Sequence, residues 1–337
     1  SKDLLATLEG RDVDAGRLKA VVDDVFARAG ASAVTRGLLA DMIVDGGRWD
    51  VALVDIDPKA LDVARGLASR MVAARGAPIR LSAHLDRREA LDGADFVVTT
   101  IAVGGRHAWL QDVAIPRKYG IFQPVGDTIG PGGISRALRQ IPAMVAIARD
   151  VARLAPRARL FNYANPMAAN CRAVRKATEV PIVGLCHGVK GGERELAALL
   201  GVEPERCSFT AAGMNHLTFF VEAKLDSKDA WPLIRRKLAE CKPDPREYFR
   251  RELFRHTGAY SALADRHLCE FFPQFFRTGQ HPGGRLGTEL FSVEGTIEQG
   301  DRGYAAMAEQ ASGKAPLDES VFQRQVGEHE ELVAIFR

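Results

Sequence analysis

The stretch Val51-Ala52-Leu53-Val54-Asp55-Ile56-Asp57-Pro58 decides the fold. Its first four residues are all apolar, so a strand here has no polar side to show to water. It belongs inside a sheet covered on both faces. Asp57-Pro58 then opens a helix over 58–75, with an acid to accept free backbone N–H groups and a proline whose fixed φ suits the first turn. The same alternation runs outward in both directions. Upstream, Leu18, Val21, Val22, Val25 and Phe26 fall at helical spacing and predict an amphipathic helix over 15–29, with a second helix over 35–45. Downstream, strands are expected at 79–83, 96–101, 159–163 and 181–185, and helices at 134–153, 167–178 and 192–200. Strands alternating with helices specify an α/β chain with a Rossmann-like, doubly wound and mostly parallel sheet. From about residue 207 the pattern changes to an alternating strand at 219–223 and then to irregular helices rich in Phe and Arg. That break predicts an α+β second part, and so two domains, 1–206 and 207–337.

At 337 residues the chain exceeds one ordinary domain. A net charge of +3, spread along the chain, is too small for a nucleic-acid footprint. Cys171, Cys186, Cys207, Cys241 and Cys269 are odd in number and lack paired spacing. That argues against a disulfide framework and for a reducing cytoplasm. No apolar run reaches the roughly 18 residues that span a bilayer, and Ser1-Lys2-Asp3 opens no signal peptide. The expectation is a cytoplasmic protein with neither nucleic-acid nor membrane partners.

In open α/β sheets ligands bind beyond the carboxyl ends of the strands, and the candidates fall there. Ile182-Val183-Gly184-Leu185-Cys186-His187-Gly188 delivers a thiol at a strand end, and Gly213-Met214-Asn215-His216 brings an imidazole. A thiolate and an imidazole suit a divalent transition metal, and open coordination positions would admit substrate. A buried Cys at a strand end is otherwise ordinary core. Asp55 ends the strand at 51–54, where an acid accepts hydrogen bonds from ribose hydroxyls. Thr100-Ile101-Ala102-Val103-Gly104-Gly105 is small enough for backbone to approach a cofactor, and Asn165-Pro166 follows the strand at 159–163. An Asn before a Pro is also an ordinary lead into a helix. Ala29-Gly30-Ala31-Ser32 holds one glycine where a dinucleotide turn wants two or three, with Arg28 in the place of the first. Alone it does not make a dinucleotide site. Asp127-Thr128-Ile129-Gly130-Pro131-Gly132-Gly133 opens a helix with free N–H groups and projects an acid, or simply caps that helix. Tyr260, Asp265, Arg266 and His267 crowd one short segment close to Glu270. They suit proton abstraction and anion binding, or a solvated helix face.

In their order and spacing these segments resemble glycoside hydrolase family 4, hydrolases that use NAD⁺ and a divalent metal. The matching stretches are 51–57, 104–139, 162–170, 184–189 and 212–216, with 258–273 similar more loosely. The resemblance implies an NAD-binding domain at 1–206 and a domain for substrate, metal and subunit contacts at 207–337. Family chains continue beyond the equivalent of Arg337, so either this one is incomplete there or the protein is a divergent, impaired member. Implied ligands of Mn²⁺ or another divalent metal are Cys186 and His216, and Gly30, Ser32, Asp55, Thr100 and Ala102 would surround NAD. Asn165, His187, Arg266 and His267 would face the sugar. Asp127 resembles the acid that protonates the departing oxygen, and the base is Asp265 or Tyr260, a position on which members differ. Cys186-His187 stands where 6-phosphoglycosidases carry Cys-Asn, so the chain is similar to the branch acting on non-phosphorylated α-glycosides. Cys-His-Gly in particular resembles the α-glucuronidases. The implied assembly is a homodimer or homotetramer. One departure concerns the start, where family members have a strand leading into a glycine-rich turn and 19–29 here reads as helix.

The implied route differs from the two-carboxylate scheme of most glycosidases. NAD⁺ oxidises carbon 3 of the sugar, and the new ketone acidifies the carbon 2 proton that the base removes. Asp127 protonates the leaving oxygen, water adds at carbon 1, and the hydride returns. His187, Lys190, Arg266 and His267 gather positive charge in an almost neutral chain, which suits an anionic sugar and hence an α-glucuronide. A neutral α-glucoside or α-galactoside, or a sulfonated sugar, is the nearest alternative. Two other classes fit the fold. One is an NAD-dependent hydroxy-acid dehydrogenase, which needs no thiolate metal site, and the other is a pseudoenzyme, favoured by the poor glycine turn.

Overall fold

A computed structural model of the chain describes residues 18–23, 31–242, 244–275 and 292–322. Its first part alternates as the apolar runs require. In order come β1 (Leu18–Asp23), α1 (Ala31–Asp45), β2 (Trp49–Val54), α2 (Pro58–Arg75), β3 (Ile79–His84), α3 (Arg87–Leu91) and β4 (Phe96–Thr99). There follow α4 (Gly105–Arg117), α5 (Gly130–Leu154), β5 (Arg159–Asn162), α6 (Met167–Ala177), β6 (Ile182–Gly184) and α7 (Gly188–Leu200). The six strands form one sheet in the order β3-β2-β1-β4-β5-β6, and every pairing in it is parallel. This is the doubly wound order whose strand direction of travel reverses beside β1, where the crevice for a ligand opens.

Successive residues of one strand point to opposite faces, and the core divides accordingly. Ala20, Val22, Val51, Leu53 and Val98 pack beneath α1 and α2, whereas Val21, Ala52, Val54 and Val97 pack against Met144, Ile147 and Val151 of α5. The helix expected over 15–29 is corrected by this arrangement. Leu18–Asp23 is a strand held between β2 and β4. Val21 and Val22 match a helical stripe only by coincidence, since both are buried, on opposite faces of the strand. The remainder of that expected helix, including Arg28 and Gly30, lies outside the described residues. Elsewhere the ends shift. Asp57 accepts the N–H groups of Lys59 and Ala60 and fixes the start of α2, whereas α5 begins at Gly130, a full turn before the expected start at residue 134. No element was expected over 105–117, because the buried side of α4 holds only Asp112, Val113 and Pro116.

The second part is a small antiparallel sheet with helices. It comprises β7 (Cys207–Met214), β8 (Leu217–Leu225), β9 (Lys228–Asp229), α8 (Trp231–Glu240), α9 (Tyr248–Thr257), β10 (Tyr260–Ser261) and α10 (Asp265–Leu268). The strand order is β10-β8-β7, with β9 on β8. Phe220, Ala223, Ile234, Phe254 and Tyr260 form its core against Leu196 and Leu200 of α7. The chain then returns to the first sheet. α11 (Val293–Ala311) lies on α2, so closely that a Cβ on Gly66 would stand 2.8 Å from the Ala311 carbonyl oxygen. Arg70 donates to the carbonyls of Gln310 and, at 2.9 Å, Ala315. Among the described residues no helix is long and apolar enough to cross a membrane.

Candidate active site

A cavity of about 650 Å³ opens beyond the carboxyl ends of β4, β5 and β6, closed on its far side by the β7–β8 hairpin and the segment 262–267. Three strand ends feed it. After β4 come Thr100 and Ala102, after β5 Asn165 and after β6 Cys186 and His187, and all of them line the cavity. Gln140 holds the loop after β4 in place, accepting from the Val103 N–H at 2.6 Å and donating to the Ile101 carbonyl at 2.8 Å. Thr100 Oγ1 is buried and has no hydrogen-bond partner among the described residues.

Asp127 reaches the cavity from the loop before α5. Gly132 and Gly133 allow that loop to lie against the helix start: a Cβ on Gly133 would meet the Thr128 carbonyl carbon at 2.5 Å, and one on Gly132 the Gly126 oxygen at 2.6 Å. Glu270, from the opposite part of the chain, grips the loop by accepting the Val125 and Gly126 N–H groups at 2.7 and 2.8 Å on the same oxygen, Oε1. Asp127 itself is doubly bound. Thr128 Oγ1 donates to Oδ1 at 2.6 Å and Asn165 Nδ2 to Oδ2 at 2.8 Å.

His216 occupies the two-residue connection of the β7–β8 hairpin in a left-handed conformation, φ 64°, which is strained for a side chain of this size and is found preferentially at functional sites. Its Nδ1 lies 2.7 Å from Thr128 Oγ1, and its ring stacks on His267 with centroids 3.9 Å apart and planes tilted by 30°. One ligand atom each from Asp127, His216 and His267 falls within 4.8 Å of the others. His267 Nδ1 is buried and without a partner among the described residues. Cys186 lies across the same cavity, its Sγ accepting the Gly188 N–H at 3.4 Å.

Burial raises the Asp127 carboxyl, but His267, His216 and the Arg136 guanidinium together hold it below the ordinary carboxylate range. Burial pushes His216 and His267 down, opposed in both by Asp127, and an imidazole that has released its proton offers a lone pair to a cation. Burial pushes the Cys186 thiol up, and Asp127 adds to this. A cation would therefore have to displace its proton.

Of the residues expected around a sugar, Asn165, His187, Arg266 and His267 all line the cavity. Arg266 Nε is buried and unpartnered among the described residues. Lys190, counted among the cations, is paired with Glu193 at 3.1 Å. Asp55 stands at the end of β2, buried, accepting the Asp57 N–H at 2.8 Å. Ser32 falls in the first turn of α1, and Gly30 lies outside the described residues. Neither expected base reaches the cavity. Tyr260 is turned into the second core, 5.3 Å from the Phe254 ring, and burial pushes its hydroxyl up to about 12. Asp265 is fully buried and accepts the N–H groups of Phe249 and Arg250 at the start of α9, at 2.6 and 2.7 Å. Burial pushes its carboxyl up to about 7. The lining also includes Trp109, Arg136, Tyr163 and Glu195, which no motif had marked. A signal existed for Arg136 alone, a cation just inside the helix that the glycine loop opens.

Residues 25–202 match the family model described as family 4 glycosyl hydrolase. An α-galactosidase of Rhizobium meliloti (strain 1021) is 35% identical over 252 residues, 73% of this chain and 51% of that protein. An α-galacturonidase of Bacillus subtilis (strain 168) is 33% identical over 274 residues, covering 74% and 60%. The chain thus spans half to three fifths of the length of these relatives. Among solved structures, a 6-phospho-α-glucosidase from gut microorganisms, in complex with NAD and Mn²⁺, superposes with a TM-score of 0.77 at 18% identity, over 95% of this chain and 73% of that one.

Proposed function

The chain belongs to family 4 of the glycosyl hydrolases, and on that premise we propose that it hydrolyses α-glycosides of a non-phosphorylated sugar bearing a carboxylate. The observation that carries the acidic reading is Arg266, whose buried Nε has no partner among the described residues and which lines the cavity shared by Cys186, His216 and Asp127. A guanidinium holds a carboxylate at two points. Both relatives named above are α-glycosidases, one for a neutral sugar and one for a uronide, so the substrate's charge is the distinction to be made. We place an α-glucuronide first among uronides, on Cys186-His187-Gly188.

The residues present fit the two groups that the structural relative binds. Asp55, Thr100 and Ala102 would hold NAD⁺, which supplies a hydride acceptor and donor; the unpartnered Thr100 hydroxyl supports a ligand there. Cys186 and His216, which line the same cavity, would hold Mn²⁺ or a similar cation, which supplies Lewis acidity; Asp127 and His267 cluster with His216. Asn165 orients Asp127 and offers its amide oxygen to sugar hydroxyls. Asp127 delivers the proton to the leaving oxygen. As a carboxylate in the ligand-free chain, it must take up a proton before giving one, so turnover falls as pH rises.

Aryl α-glucuronide, α-galacturonide, α-glucoside and α-galactoside are compared with NAD⁺ and Mn²⁺ present. Uronides are expected to turn over at least 100-fold faster, about 3 kcal/mol of transition-state discrimination. Equal or better turnover of the neutral sugars would sink the acidic reading. Stoichiometric NADH in place of released aglycone would favour a dehydrogenase.

A further inference from the structure

Thr128 touches both Asp127 and His216, and its hydroxyl has one proton to give. The oxygen stands 2.6 Å from Asp127 Oδ1 and 2.7 Å from His216 Nδ1. A hydroxyl can donate once and accept on its lone pairs, whereas an ionised carboxylate can only accept. The other Asp127 oxygen is already served by the Asn165 amide N–H at 2.8 Å, so the carboxylate is receiving donors on both sides. The Thr128 proton therefore goes to Asp127, and its oxygen is left as the acceptor facing His216.

We infer that Thr128 is a positioning residue that fixes the tautomer of His216, placing the ring proton on Nδ1 and leaving the Nε2 lone pair to a metal. A neutral imidazole carries one N–H and one lone pair, and the partner of one nitrogen decides the other. The ring also stacks on His267, a contact that does not discriminate between the nitrogens. Asp127 Oδ1 is 3.9 Å from Nδ1, too far for a hydrogen bond. Thr128 is itself well placed for the task, because its backbone lies against Gly133 closely enough to exclude a Cβ there. One hydroxyl thus links the acid to the metal-binding imidazole. The inference rests on the metal reading above for its purpose, but the tautomer itself does not depend on that reading.

The test uses Thr128→Val, which keeps the shape and removes the hydroxyl, and Thr128→Ser, which restores it. In metal-free protein with ¹⁵N-labelled histidine, the His216 ring signals are assigned by their loss in His216→Gln. Wild type and Thr128→Ser should show the Nδ1–H form, and Thr128→Val a shift toward Nε2–H. Mn²⁺ titration followed by electron paramagnetic resonance should show binding about 10–100-fold weaker in Thr128→Val, with Thr128→Ser close to wild type. An Nε2–H form in the wild type overturns the inference, as does a Thr128→Val protein with the wild-type tautomer and Mn²⁺ affinity. If Thr128→Val does not fold, the wild-type and Thr128→Ser tautomers still decide. A wild type that binds no Mn²⁺ yet shows Nδ1–H sinks the metal reading and leaves the positioning intact.

Discussion

Replacing Glu270 by Gln should stabilise the protein, and by more as the pH rises. Glu270 is 8% exposed, and burial, followed by the charge of Asp127, pushes its carboxyl up from 4.5 to about 8. Both N–H groups that it accepts reach Oε1, so Oε2 is free to carry a proton and the folded state can hold the neutral acid. The folded protein then keeps a proton that the unfolded chain releases above about pH 4.5. Stability is fully present below that value and is lost as pH rises through about 8. At about 1.4 kcal/mol per pH unit, the loss across this window is on the order of 5 kcal/mol, an upper bound for a buried group near other charges. Gln does not titrate, and its amide oxygen can accept the same two N–H groups. Urea denaturation between pH 5 and pH 9 should therefore give Glu270→Gln and wild-type stabilities that coincide at the acid end, separate up to about pH 8 and keep that gap above it. Glu270→Ala is the contrasting variant, because it leaves the Val125 and Gly126 donors unanswered and costs about 1–3 kcal/mol for each at every pH. Parallel pH profiles for wild type and Glu270→Gln, or equal losses in Gln and Ala, would refute the reasoning.

Because burial holds the Cys186 thiol protonated in the free chain, Mn²⁺ affinity should rise with pH, by up to about tenfold per unit, and Cys186→Ser should abolish it without unfolding the protein; a flat pH profile would remove the thiolate from the ligand set. Thr100→Val and Asp55→Asn should each weaken NAD⁺ binding by about tenfold, roughly 1.4 kcal/mol or one hydrogen bond, measured by calorimetry, and unchanged affinity would place the cofactor elsewhere. Arg28→Gly, at a position outside the described residues, should tighten NAD⁺ binding if the arginine crowds the pyrophosphate turn. Asp265→Asn loses one of two bonds at the start of α9 and should lower stability by about 1–3 kcal/mol with little change in kcat, whereas a large kcat loss at unchanged stability would return Asp265 to the chemistry.

The strands were legible where burial on both faces made them uniformly apolar, as in Val51–Val54 and Phe96–Val98. The same property hid β1, because Val21 and Val22 enter opposite cores and nothing in their spacing separates that from a helical stripe. Cys186, Asn165 and Thr100 stand out in the sequence because strand ends are where an α/β sheet keeps its ligands. Thr128 and Glu270 do not, since each acts through a partner far along the chain. His216 lies 88 residues from Thr128, and Val125 lies 145 from Glu270. The segment 260–267 misled for a different reason. Its residues are close in sequence but diverge in space, for β10 sends Tyr260 into the second core while Arg266 and His267 turn to the cavity.

That divergence does not disconnect Tyr260 and Asp265 from the cavity. Asp265 accepts the backbone N–H of Arg250, and the Arg250 guanidinium lies 4.9 Å from the Tyr260 ring centroid. The same guanidinium, 1% exposed, reaches Glu195 at 2.8 Å, and Glu195 lines the cavity. A lost activity on replacing Tyr260 by Ala would therefore not identify a proton-transfer group, because the cation–π support of Arg250 goes with the ring and Glu195 moves with Arg250. Tyr260→Phe separates the two roles. It keeps the ring beneath the guanidinium and removes only the hydroxyl. If Tyr260 supports Arg250, the variant should retain kcat within about twofold, since an exchange of Tyr for Phe changes a cation–π contact by only a fraction of its roughly 1–2 kcal/mol. If Tyr260 is the base that takes the carbon 2 proton, kcat should fall by about 100-fold or more, and exchange of solvent deuterium into that carbon should fall with it. The placement in the second core requires the first result.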